Sequence, residues 1–281
     1  NMEFFQEMKK IPLKSACLCA FGATRRKNIT CEKDSNLKSL LEAGTSCVVI
    51  FGKSSSSQVK QIIGTSLKEN LSMIKETVAY MKSNGRKVIY DAEHFFTALA
   101  EDKDYALATL TAALEGGAEY LTLCETKGGF MMDEFRNAVK TVYEAFGDKV
   151  AIGVHTHNDC GLAVANSILG VMEGATMVQG VLLGFGERTG NANLSTIIPD
   201  LQLKMGYSCI PQENMKKLTS ICKRVSELTN LSVDSQLPYV GASAFAHKAG
   251  MHIDAVLKNP TAYEHIEPET VGNSRVFLMS E

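Results

Sequence analysis

His155 and His157 close the apolar run Lys149-Val150-Ala151-Ile152, inside the stretch Gly153-Val154-His155-Thr156-His157-Asn158-Asp159. Residues two apart in an extended chain share a face, so both imidazoles point the same way. Two imidazoles side by side at a strand end form half of a divalent-metal site. The same pair also suits a polar strand end whose rings hydrogen-bond the next turn. Further candidates stand at the ends of other apolar runs. In Tyr90-Asp91-Ala92-Glu93-His94-Phe95-Phe96, Asp91 and Glu93 share one face and His94 takes the other. A carboxylate there can act as a general base or orient a water, or it can simply pair with a nearby cation. In Leu123-Cys124-Glu125-Thr126-Lys127-Gly128-Gly129, the glycines permit close approach of a ligand to the backbone, and the Thr126 hydroxyl can bind a carboxylate. A generic turn would use the same residues.

Three segments are ambiguous or negative. Gly184-Phe185-Gly186-Glu187-Arg188-Thr189-Gly190-Asn191-Ala192-Asn193 lacks the glycine order of a dinucleotide site. Its Asn191 offers a carbonyl oxygen to a hard cation, while Asn191 or Asn193 could equally cap a helix. Gly52-Lys53-Ser54 invites a phosphate-loop reading, but Cys47 stands where that motif needs glycine. His247 and His252 are five apart, which does not align them on one helix face. One of them could serve as an acid or base delivered to another site.

These residues need elements to position them. Strands are expected at Ala16 to Phe21, Ser46 to Phe51, Lys87 to Asp91, Glu119 to Cys124, Val150 to Val154 and Met177 to Leu183. Helices are expected at Glu32 to Ala43, Gln58 to Ser83, Asp104 to Glu115, Met132 to Phe146 and Leu162 to Glu173. Gly44, Gly85, Gly116-Gly117, Gly147 and Gly174 fall where helix C-caps belong. Near-continuous apolar strands alternating with helices indicate a parallel sheet covered on both faces. Six strands suit a doubly wound open sheet, whereas an eight-stranded barrel needs two more. The polar residues favour the barrel, because they gather at the C-terminal ends of several strands, and a barrel brings those ends to one mouth. After Tyr207 the pattern changes to a helix over Glu213 to Thr229, a loop-rich part from Ser232 to Val240, a short helix over Gly250 to Leu257 and an irregular tail.

The 281 residues carry 45% hydrophobic and 21% charged side chains, an ordinary globular balance. A net charge of −2 gives no electrostatic argument for nucleic acid or an acidic membrane. No apolar run approaches the roughly eighteen residues of a membrane span. The N-terminus reads as an amphipathic helix, Met2 to Met8, and shows no signal-peptide pattern. Eight cysteines without a Cys-x-x-Cys pair, among them Cys17, Cys19, Cys47 and Cys124 in apolar runs, read as buried reduced thiols of a cytoplasmic protein.

Together these segments resemble the metal-dependent acyl-CoA condensing enzymes, namely the 2-isopropylmalate, homocitrate and citramalate synthases, with the 3-hydroxy-3-methylglutaryl-CoA lyases as cousins. The motifs are Gly153 to Asp159, Gly186-Glu187-Arg188-Thr189-Gly190-Asn191 and Ala246-His247-Lys248-Ala249-Gly250-Met251-His252. The likeness is closest to the bacterial citramalate synthases, through Asp91 to Phe96, Phe21-Gly22-Ala23-Thr24-Arg25-Arg26 and Thr261-Ala262-Tyr263-Glu264-His265-Ile266. Ser55-Ser56-Ser57-Gln58 departs from the aromatic-acidic-apolar-His segment of relatives.

The resemblance implies an α/β fold, a (β/α)8 TIM barrel missing its first two strands in this sequence. Residues 1–206 would supply strands three to eight, and 207–281 a small, mostly helical linker subdomain. The family's metal-binding aspartate and the arginine after it belong to its first strand, and neither these nor the C-terminal regulatory domain is in this sequence. The implied activity is an acyltransferase that condenses acetyl-CoA with a 2-keto acid, converting acyl to alkyl. Pyruvate would give (R)-citramalate and CoA for isoleucine biosynthesis. The alternatives are 2-isopropylmalate or homocitrate synthesis, a hydroxyacyl-CoA lyase, and a non-catalytic fragment. By the same resemblance His155, His157 and Asn191 would hold zinc, manganese or magnesium, and Thr126 and Asp91 would bind substrate. Glu93 and His252 would move protons, with Tyr263 nearby. The family forms homodimers in which the C-terminal subdomain completes the partner's site.

Overall fold

The computed structural model describes residues 2–278; Asn1 and Met279 to Glu281, the two ends of the expected domains, lie outside it. Its contacts group the chain into Asn1–Gln179 and Gly180–Glu281.

In the first group, apolar runs form six strands: β1 (Cys19–Ala23), β2 (Cys47–Lys53), β3 (Lys87–Glu93), β4 (Tyr120–Glu125), β5 (Ala151–Thr156) and β6 (Met177–Gln179). All pair in parallel, and each pairs with its neighbour in the chain, β1 through β6 in order. A doubly wound sheet reverses its strand order at a switch point; a barrel wall does not. The curvature points the same way. Gln179 on β6 donates to Asp91 on β3 at 2.8 Å. Strands three positions apart lie about 14 Å from each other in a flat sheet, farther than the two side chains reach. The sheet is therefore curved, with these residues on its concave face. Among the described residues the wall has six strands, with β1 and β6 at its edges.

The helices cover the other face. They are α2 (Ser35–Glu42), α4 (Leu67–Ser83), α5 (Phe95–Glu101), α6 (Lys103–Gly116), α7 (Met132–Phe146) and α8 (Ala163–Met172); the short α1 (Met2–Met8) and α3 (Ser56–Gln58) bury no residue of their own. Local caps start several of them. Asp34 accepts from the amides of Asn36 and Leu37, Ser66 from Glu69, and Asp102 from Tyr105. The core between helices and sheet holds Ile50, Ile74, Tyr90, Phe96, Leu121 and Phe135, all fully buried, with the Phe96 and Phe135 rings stacked at 4.4 Å.

Three expectations need correction here. The single helix over Gln58 to Ser83 is two, because Gly64 takes a left-handed φ of 66° and Ser66 then caps a new start. The α5 helix was not expected; its apolar Phe95 and Phe96 follow directly on a strand and carry no cap signal. The sixth strand stops at Gln179, and a 3-10 turn occupies Leu182–Gly184.

The second group contains α9 (Leu194–Pro199), continued by a π turn over Asp200–Lys204, then α10 (Leu218–Thr229) behind a 3-10 turn at Gln212–Lys217. Strands β7 (Ala246–His247) and β8 (Val276–Phe277) pair in parallel, and α11 (Gly250–Lys258) follows β7. A separate core of Met215, Leu218, Cys222, Tyr239, Val240, Phe245 and Val271 holds this group together. No helix among the described residues is long and apolar enough to cross a membrane. The eight cysteines are free thiols, but only Cys31, Cys47, Cys124 and Cys222 are buried as expected; Cys19 is half-buried and Cys17, Cys160 and Cys209 are exposed, Cys17 because β1 begins two residues after it.

Candidate active site

The alternation of β5 decides which side chains meet. Val154 and Thr156 are fully buried against α8: Thr156 Oγ1 donates to the Ala163 carbonyl at 2.9 Å, and Val154 packs on Gly170, where an added Cβ would come within 2.8 Å of it. His155 and His157 take the opposite, concave face. Their Nε2 atoms stand 3.4 Å apart, and His155 Nδ1 lies 2.9 Å from Gln179 Oε1. The turn after β5 is tied to the turn after β4. The His157 amide donates to the Glu125 carbonyl at 3.3 Å, and that of Cys160 to Gly128 at 2.9 Å.

Donor chemistry and spacing of this pair fit a divalent metal. Bonds of about 2.1 Å meeting at a tetrahedral angle place two ligand nitrogens about 3.4 Å apart. Metal-bound histidines use their second nitrogen to hydrogen-bond an orienting group, which Gln179 supplies. Among the described residues no group of three His, Cys, Asp or Glu side chains assembles around a metal.

Asp91, expected at the substrate, is 4% exposed and accepts from Gln179 Nε2. Burial pushes its carboxyl up, while Gln179, Thr122 and His155 pull it the other way. Glu93 closes β3 in an ion pair with Lys53, its register partner on β2, at 2.7 Å. Lys53 also lines a cavity of about 510 Å³ with Arg25, Arg26 and Lys27, beyond the ends of β1 and β2. Arg25 is itself neutralised by Glu69 and Glu76, each at 2.7 Å. The Thr126 hydroxyl accepts from the His94 amide at 2.9 Å, with His94 in a left-handed conformation of φ 59°. Beside it, burial pushes the Glu125 carboxyl up, against backbone donors at Gly129, Phe130 and Lys127.

The second group holds the other candidates. Asn191 donates through Nδ2 to the Phe185 carbonyl at 2.9 Å, inside the glycine-rich turn. Asn193, not Asn191, caps α9, accepting from the Ser195 amide at 3.0 Å. His252 on α11 stacks on Tyr263, rings 4.2 Å apart, and Tyr263 is 48% exposed. His247 is not in that pair: its Nε2 meets Glu264 at 3.1 Å, and Arg275 grips the same carboxylate with two bonds of 2.6 and 2.5 Å.

So the sequence candidates gather in clusters: His155, His157 and Asp91 through Gln179; Glu93 with Lys53; Thr126 with His94; His252 with Tyr263. Gln179 is the participant the sequence did not single out for chemistry, and Lys53 entered it only through the rejected phosphate-loop reading. Gln179 could have been found as the polar residue of its apolar run in register with His155, had the strand end been known.

A curved, sequentially ordered parallel wall with paired imidazoles at a strand end defines an α/β barrel protein with a candidate metal site. Comparison with known proteins names the group. A family model described as HMGL-like matches residues 15–225, and one described as homocitrate synthase post-HMGL domain-like matches 239–281. The chain belongs to the HMGL-like family. It is 51% identical to an (R)-citramalate synthase of Aquifex aeolicus over 99% of this chain and 52% of that protein. It is 38% identical to a 2-isopropylmalate synthase of Sulfurisphaera tokodaii over 84% and 59%. The solved hydroxymethylglutaryl-CoA lyase of Pseudomonas aeruginosa matches with a TM-score of 0.66 at 16% identity, covering 83% of this chain and 75% of that one, a likeness of fold. The chain spans about half the length of the curated citramalate synthases that it matches.

Proposed function

We propose that the protein is a metal-dependent acyltransferase that joins acetyl-CoA, pyruvate and water into (R)-citramalate and CoA. The observation that carries the chemistry is the convergence of His155 and His157 Nε2 at 3.4 Å. The choice of pyruvate is supported by 51% identity to a citramalate synthase, against 38% to a 2-isopropylmalate synthase.

A divalent ion on His155 and His157, with Asn191 as an oxygen donor, would polarise the ketone of the keto acid as a Lewis acid. Nitrogen and oxygen donors suit zinc, manganese or magnesium. Everything else is asked of the chain. The Thr126 hydroxyl binds the keto-acid carboxylate. Glu93, assisted by His252, removes a proton from the acetyl methyl, and the methyl carbon then attacks the ketone carbon, whose oxygen takes up a proton. Water, with Tyr263 and His252 nearby, cleaves the thioester and releases CoA. In this reading residues 1–206 form the catalytic domain, and 207–281 reach the site of a partner subunit in a cytoplasmic homodimer.

The test follows thiol release from acetyl-CoA by the full-length protein with pyruvate, 2-oxoisovalerate and 2-oxoglutarate, beside the His155→Ala, His157→Ala double variant. Turnover with pyruvate, lost together with metal binding in the double variant, is expected. Preference for 2-oxoisovalerate would reassign the substrate, and a double variant that still binds metal and turns over would move the site elsewhere.

A further inference from the structure

We infer that Gln179 is a positioning residue that sets which nitrogen of His155 carries the proton, and that Asp91 sets the orientation of Gln179. The inference rests on the reading of His155 as a metal ligand, and it adds to the orienting contact of Gln179 the choice of which nitrogen is protonated and what fixes that choice.

A neutral imidazole carries one proton, on Nδ1 or on Nε2, and binds a metal only through the bare nitrogen. His155 turns Nε2 toward His157, so ligation there requires the proton on Nδ1. The partner of Nδ1 is an amide, which by itself does not decide the matter. Its oxygen demands a proton on Nδ1; its nitrogen, turned the same way, would demand a lone pair there and send the proton to Nε2. The far side of Gln179 breaks the tie. Its Nε2 lies 2.8 Å from Asp91 Oδ1 and 3.4 Å from Thr122 Oγ1. With Asp91 ionised, its carboxylate accepts hydrogen bonds and never donates, so the amide NH2 faces Asp91 and Oε1 faces His155, at 2.9 Å. Asp91 and Gln179 meet across the concave face beside Thr122, the register partner of Asp91 on β4, while Met177 of β6 covers the side-chain-free Gly153 at the same level.

The experiment labels histidine with 15N and records long-range proton–nitrogen correlations of the metal-free full-length protein at about pH 8. Manganese affinity is measured on the same samples. In the unaltered protein His155 should carry its proton on Nδ1. Gln179→Leu should move proton population to Nε2 and weaken manganese binding about ten- to a hundredfold. Asp91→Asn frees the amide to turn, so a mixture of the two forms is expected. The double variant Gln179→Glu with Asp91→Asn exchanges the two groups: the new carboxylate at 179 accepts from both sides. It should restore both the Nδ1 proton and the affinity, which simple repair of packing would not do. A proton already on Nε2 in the unaltered protein, or an unmoved proton and affinity in Gln179→Leu, overturns the inference. If the proton follows these substitutions while no variant binds metal, the relay stands and the metal reading fails.

Discussion

Glu93 carries the proton transfer in the proposed chemistry, and Lys53 holds it in place. The ion pair at 2.7 Å joins register partners at the ends of β2 and β3, so the carboxylate is anchored at the strand end from which it would act. Replacing Glu93 with Gln keeps the shape and removes the base. Turnover should fall by about a hundredfold or more, with manganese affinity unchanged, as steady-state kinetics and metal titration would show. An unchanged rate would leave the carboxylate as no more than the partner of Lys53, the other role its sequence context allowed. That choice was legible in Tyr90-Asp91-Ala92-Glu93, but the identity of the cation was not. Lys53 stands forty residues earlier, and only the register of two strands brings it to Glu93. Gln179 was hidden for a related reason. With the sixth strand read as running to Leu183, it looked like a mid-strand residue, whereas β6 ends on it.

At the scale of elements, what local chemistry writes was readable, and what depends on distant pairing was not. The two histidines faced one way because a strand alternates, and caps at Asp34 and Ser66 lie where side-chain oxygens permit them. The break at Gly64 was written too, in a glycine followed by a serine cap. The β7–β8 pair shows the other case. Two residues long in each strand, it has no periodicity to detect, and a buried Glu264 between His247 and Arg275 fastens it from the side. Arg275 holds the Glu264 carboxyl below the usual range, against burial, and His247 adds to the effect. A carboxyl whose folded value lies below its unfolded one stabilises the fold above the unfolded value, and that contribution is lost as pH falls through the folded value. Glu264→Gln should therefore cost about 2 kcal/mol near neutral pH. The gap from the unaltered protein should close as pH drops below about 4. Denaturant unfolding at several pH values measures both, and a gap that does not change with pH would mean the contact acts through packing alone. Because Glu264 follows Tyr263 directly, loosening the clasp should also disturb the stacking of His252 on Tyr263.

At the scale of the whole molecule, a count of six strands left two architectures open, and the order of pairing chose between them. Nothing in one strand states which strand it will sit beside, so the barrel wall became visible only through register and through the reach of Gln179 to Asp91. That reach has an energetic consequence. His155 lies on β5 with His157 just past its end, Gln179 on β6 and Asp91 on β3, so a metal on the histidines would be tied by hydrogen bonds to half of the sheet. A ligand that binds only the folded state stabilises it by mass action, about 2.7 kcal/mol at a hundredfold excess over its dissociation constant. For a chain of this size that corresponds to a rise in Tm of roughly 5 °C. Manganese added to the metal-free full-length protein should raise Tm by this order in a calorimetric scan. The shift should be absent in the His155→Ala, His157→Ala variant, and Gln179→Leu should need about ten to a hundred times more metal to reach it. Equal shifts in all three proteins would place the stabilising ion away from β5, and the paired imidazoles would then be a polar strand end after all.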